Sequence, residues 1–208
     1  MRNVTLLVTA SLLIPFAVGA QAPQERARDL SAEELVSRFA NDLVTSPTQS
    51  SRLETVLASI LLDRPESSRA DSVVIGLKEL AMGHSSSRVR SLATTLLITG
   101  SDGPGQSGRS VIRHIQEIYE SPLEMALQLS ILSAVPHLPA RDRQLGVEWM
   151  ETLATTETED LRFPTEAEDA VRALSGLPGG KASLERLLKA DLITDPRAIA
   201  IANLLVAG

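Results

Sequence analysis

From Ser31 onward, apolar residues return every three or four positions almost without interruption, and that period belongs to α-helices with one covered face. The first stripe is Leu35, Val36, Phe39, Ala40, Leu43 and Val44, and the second is Leu53, Val56, Leu57, Ile60 and Leu61. Val73, Val74, Leu77, Leu80 and Ala81 repeat it, as do Val111, Ile112, Ile115, Ile118 and Tyr119. Aromatic residues are only 2% of the chain, too few for the aromatic and β-branched core of a β-sandwich. The expected fold class is therefore all-α, with helices that need neighbours to cover them.

Capping chemistry sets the expected boundaries. Ser31 with Glu34 and Thr165 with Glu168 have the spacing of capping boxes, in which two side chains satisfy unpaired backbone donors at a helix start. Ser121-Pro122-Leu123-Glu124 combines a cap, a first-turn proline and an acidic third position, and Asp195-Pro196 repeats the cap and proline. Every proline beyond Pro23 falls at or near a junction. These signals predict about ten helices in five antiparallel pairs: 31–46 with 50–63, 70–83 with 86–99, 109–120 with 122–135, 140–156 with 165–176, and 181–191 with 196–207. Successive pairs joined by short turns give a short α-solenoid in which each pair covers the next.

A weak repeat runs through the second helices. Arg88-Val89-Arg90 leads to Ala93 and Leu97, Thr165 to Glu168 leads to Ala170 and Leu174, and Asp195-Pro196-Arg197 leads to Ala200 and Leu204. The third pair has Ala126 followed by Ser130, and the alanines stand 33, 44 and 30 residues apart. Over residues 70–208, best at Ser87 to Leu97, the pattern resembles the HEAT-repeat family, in which a turn with Asp or Pro precedes Val-Arg and then a spaced Ala and Leu. The resemblance implies a HEAT-like solenoid whose stacked pairs present a concave surface to a protein or peptide. A tetratricopeptide array would need a regular period with Trp, Gly and Tyr early in each unit, and those positions are not filled.

The first twenty residues read as a signal peptide: Arg2, an apolar run from Leu6 to Val18, and Val18-Gly19-Ala20 before Gln21. On that reading, residues 21–30 are a polar linker and 31–208 the helical-repeat domain, exported to the periplasm or secreted. The run is too short for a stable membrane span after cleavage. The chain has no cysteine, hence neither a disulfide framework nor a zinc-thiolate site. Its net charge is -6, one unit more negative without Arg2, which argues against a nucleic-acid partner.

Among possible chemical motifs, Gly103-Pro104-Gly105-Gln106-Ser107-Gly108-Arg109-Ser110 fits G-x-G-x-x-G and is one residue from a phosphate loop, with Arg109 where the lysine belongs. An arginine fork does not replace a compact ammonium, so this stretch is expected to be a linker. The alternative is a phosphate- or nucleotide-binding enzyme using Gly103, Gly105, Gly108, Arg109 and Ser110. His114 and Glu117 share a spacing that suits two metal ligands, but no third ligand accompanies them, and neither His84 nor His137 completes a metal motif. The acidic run Glu157-Thr158-Glu159-Asp160 lacks the glycine turn of a calcium loop. No G-x-S-x-G elbow marks a nucleophile.

Expected, then, is a binding scaffold without catalysis, cofactor or metal, in which solvent-facing Arg88, Arg90, Arg109 and Arg113 receive acidic groups of a protein or peptide partner. The segment Ala198 to Ala207 is apolar nearly all round. Inward packing is the favoured reading of it, and the alternatives are docking on a partner or self-assembly as a structural envelope component.

Overall fold

A computed structural model describes residues 30–208 apart from 46, 64–66, 101–109 and 123. Among the described residues there are ten α-helices and no strand. They are α1 (Ala32–Thr45), α2 (Pro47–Asp63), α3 (Ser68–Gly83), α4 (Ser87–Thr99), α5 (Ile112–Glu120), α6 (Met125–Ala134), α7 (Arg143–Ala154), α8 (Glu166–Gly176), α9 (Gly180–Lys189) and α10 (Pro196–Ala207). Short 3-10 turns occupy Val135–His137, Ala140–Asp142 and Thr158–Asp160. The expected signal peptide and nearly all of the expected polar linker lie outside the described residues.

The apolar stripes are where the helices meet. Leu35, Val36, Phe39, Ala40 and Leu43 are buried on α1, and Ile112, Ile115, Ile118 and Tyr119 on α5. Together with the buried positions of the other helices they form one continuous core. Helix α1 packs on α2 and α3, and α3 on α4 and α5. Contacts also run from α4 to α6, from α6 to α8 and from α8 to α10. Of the five expected pairs the third is the loosest, because α6 packs mainly on α4 and α8 rather than on α5. Helices α5 and α7 are joined through an edge-on contact of Tyr119 with Trp149, ring centroids 5.3 Å apart.

Some boundary signals act as expected. The Ser31 backbone N–H donates to Glu34 Oε2 at 3.0 Å while Glu34 N–H donates to Ser31 Oγ at 3.2 Å, a reciprocal capping box. The bonds that the Ser31 backbone N–H and Ser31 Oγ each donate to Glu34 Oε2 at 3.0 Å, helped by the charge of Arg38, hold the Glu34 carboxyl below the usual carboxylate range. Asp195 Oδ1 accepts from Arg197 N–H at 2.9 Å and Ala198 N–H at 2.7 Å, with Pro196 opening α10. Between α8 and α9 the chain reverses at Gly179, whose φ of 82° favours glycine. A Cβ on Gly180 would stand 1.7 Å from the Leu174 carbonyl oxygen.

Other boundary signals act differently. Ser121 does not open the helix that follows; its Oγ donates to the Ile118 carbonyl at 2.6 Å and closes α5, so α6 begins only at Met125. Thr165 makes no side-chain cap, and Glu168 turns instead to Arg172 at 3.4 Å. Glu166 takes over, accepting from the Arg162 backbone N–H at 2.6 Å. The expected helix over 140–156 starts as a 3-10 turn, and α5 starts at Ile112 rather than 109.

The repeat positions divide in the same way. Ala93 with Leu97 and Ala170 with Leu174 are buried, whereas Ala126, Ala200 and Leu204 are exposed. On α10 the close contacts are made by Ala198 and Ala202, two positions away from the expected register.

Candidate functional site

The four arginines do not form one solvent-facing patch. Arg90 is committed within the fold: it donates to the His84 carbonyl at 2.7 Å and pairs with Glu124 at 2.6 Å, its side chain only 13% exposed. The long side chain ties the start of α4 to the start of α6, which is a structural task. Arg88 and Arg113 are exposed, and Arg109 lies outside the described residues.

Of the proposed phosphate loop, Gly103, Gly105, Gly108 and Arg109 also lie outside the described residues, but the helix that follows it is clear. The Asp142 carboxylate, 1% exposed, accepts from Ser110 Oγ at 2.6 Å, from Val111 N–H at 2.6 Å and from Ile112 N–H at 3.1 Å. A helix start attracts an anion because its first N–H groups have no partner within the helix. Here the protein supplies that anion itself, so a phosphate at Ser110 would have to displace a buried carboxylate.

The histidines and acidic run are likewise placed. Glu117 is hydrogen-bonded to Lys78 on α3, which holds its carboxyl below the usual range, with a smaller contribution from the nearby His114. His84 Nδ1 accepts from the Ser86 N–H at 3.0 Å, and His137 is exposed. Glu157, Thr158, Glu159 and Asp160 are all exposed, with the last three in a 3-10 turn. Among the described residues, no group of three or more histidines and carboxylates could hold a metal. No described helix is long and apolar enough to cross a membrane.

Deeper in the fold, Tyr119 donates its hydroxyl proton to Glu166 and accepts at its carbonyl from Arg162, whose guanidinium also lies 5.4 Å from the Tyr119 ring centroid. Arg162 donates further to the Glu120 carbonyl at 2.8 Å. Burial first, then the bond to Glu166 and its charge, push the Tyr119 phenol well above its ordinary value. The cluster locks α5 to the segment before α8. Sequence reasoning missed it because its members are more than forty residues apart.

A groove of about 900 Å³ opens between α1 and α3. Its apolar floor is Val36, Ala40 and Leu80. The helices approach closely at Gly76, where a Cβ would stand 3.1 Å from Val36 Cγ1. Ser37 and Asn41 line one wall, and Ile75, 52% exposed, stands on the other. Glu33 and Glu79 add two exposed carboxylates with no ion-pair partner among the described residues. Ile75 was visible in the sequence as the apolar residue that falls off its helix stripe. A smaller cleft of about 380 Å³ between α5 and α7 takes in Arg113, Leu145 and Trp149.

No family model, curated protein or solved structure matches this chain.

Proposed function

We propose that this is an exported, HEAT-like helical-repeat protein that binds a protein or peptide partner and does not catalyse a reaction. The observation that carries the reading is the α1–α3 groove, lined by an apolar floor, an exposed isoleucine and two carboxylates that have no ion-pair partner among the described residues. Apolar surface supplies affinity on association, and uncommitted polar groups at its margin supply orientation. The order of packing supports the solenoid reading, since α4, α6, α8 and α10 each touch the next while α1, α3 and α5 do the same. The buried pairs Ala93 with Leu97 and Ala170 with Leu174 support HEAT-like stacking.

The test is site-specific photo-crosslinking of the full chain in its own host, with the crosslinker at Ser37 in the groove or at exposed Thr99 away from it. A discrete protein adduct from Ser37 and not from Thr99 is the expected result. Equal or absent adducts at both positions would contradict the reading.

A second reading rests on α10, where Leu204 is 75% exposed although Ala198 and Ala202 are buried. Inward packing thus covers one face of this helix and leaves an apolar residue on the other, which favours self-association through the C-terminal helix. A mass that rises with concentration, and returns to the monomer value in Leu204→Ser, is its signature. A monomeric mass at high concentration would overturn it.

A further inference from the structure

We propose that the α1–α3 groove receives a cationic amphipathic helix from a partner protein; this rests on the binding function above and adds the chemistry of the occupant. Both walls are helices whose backbone bonds are internal, so the groove offers no sheet edge to an extended peptide and suits the helix-in-groove mode. Ala32, Ser37, Ala40, Ser72, Gly76 and Gly83 keep the walls low enough for a third helix to settle into the trough. The lining runs along α1 from Ser31 to Asn41, a length of about 15 Å, which matches about three turns of an occupant.

Charge selects the sign. Among the described residues Glu33 and Glu79 are the acidic ones lining the groove, and no described lysine or arginine lines it. The imidazole among the other lining groups, that of His84, is already engaged, its Nδ1 accepting from the Ser86 N–H. An acidic helix would set like charges against both carboxylates, whereas lysines flanking an apolar stripe would pair with them while the stripe covers Val36, Ile75 and Leu80. The net charge of -6 draws a cationic segment in from a distance as well.

The experiment is fluorescence anisotropy of the full chain with labelled synthetic Leu/Lys helices of about 14 residues, roughly four turns. Three probes are compared: the amphipathic Lys helix, the same helix with Glu for Lys, and a scrambled Lys/Leu sequence without an apolar face. Only the first is expected to bind. Its affinity should fall with salt and drop about tenfold or more in Glu33→Gln/Glu79→Gln, which removes two ion pairs at the groove margin. Ile75→Ala should weaken it independently, with thermal unfolding by circular dichroism confirming that each variant is folded.

Equal binding of the Glu helix or the scrambled probe would overturn the proposal, as would undiminished binding to the folded double variant and to Ile75→Ala. Failure here is distinguishable from failure of the binding function. A Ser37 crosslink to an acidic or extended partner segment would leave the scaffold standing and remove the cationic helix, whereas loss of any groove-specific crosslink would remove both.

Discussion

Asp142 satisfies three donors at the start of α5 from a turn some thirty residues later in the chain, and its burial leaves no water to replace it. Removing the carboxylate leaves two backbone N–H groups in the interior without acceptors. Asp142→Ala is therefore expected to cost about 2–4 kcal/mol, from the penalty for stranding buried donors, measured by urea unfolding. A loss within about 0.5 kcal/mol, the range of ordinary surface changes, would show that the contact carries no weight. Tyr119 makes a second residue-scale prediction. Its phenol titrates above its ordinary value of 10.0, so the neutral form belongs to the folded state. The stabilisation is complete below that ordinary value and is lost as pH rises past it toward the folded value. Because the chain has one tyrosine, phenolate absorbance reads the group directly, and Tyr119→Phe should flatten the alkaline loss of stability. Titration of the folded protein at the ordinary tyrosine value would contradict the buried bond to Glu166.

At the scale of elements, local signals were readable and distant ones were not. Ser31 and Glu34 are three residues apart and make the capping box their spacing promises. Thr165 and Glu168 have the same spacing, yet other partners decide there: Arg172 and Arg197 pair with the buried Glu168 while Arg162 and Tyr119 engage Glu166. The α10 register shifted for a similar reason, since Ala198 and Ile199 at one turn and Ala202 at the next compete with Ala200 for the inner face, and only packing on α8 and α9 chooses between them. The end of α9 offers an element-scale test. Leu192 N–H bonds to the Leu187 carbonyl and Asp191 N–H to the Leu188 carbonyl, a Schellman motif with Asp191 in the left-handed region at φ 49°. Glycine suits that conformation better and removes a negative charge from a helix C-terminus. Asp191→Gly is expected to raise stability by about 1 kcal/mol, seen as a higher midpoint in thermal unfolding; a lower midpoint would contradict the motif.

Across the whole molecule, the helical class and the positions of most helices follow from apolar period alone, while the candidate site does not. The arginines that looked accessible divide by their partners: Arg90 is drawn into the fold by His84 and Glu124, and Arg113 sits in the smaller cleft. The groove that replaces the arginine patch brings α1 and α3 together across more than thirty residues, and only its off-stripe Ile75 announced itself locally. Because Ile75 is exposed and contributes little to the core, Ile75→Ala should change folding stability by less than about 0.5 kcal/mol while weakening groove binding. A large stability loss would make Ile75 a core residue and the groove a packing defect. Amide chemical-shift mapping of the full chain during titration with the Leu/Lys helix locates the binding surface residue by residue. Saturable shifts concentrated at Ser37, Asn41, Ser72, Ile75 and Gly83 are expected. Shifts confined to the α9–α10 end or to the α5–α7 cleft, with the α1–α3 groove silent, would contradict binding in the groove.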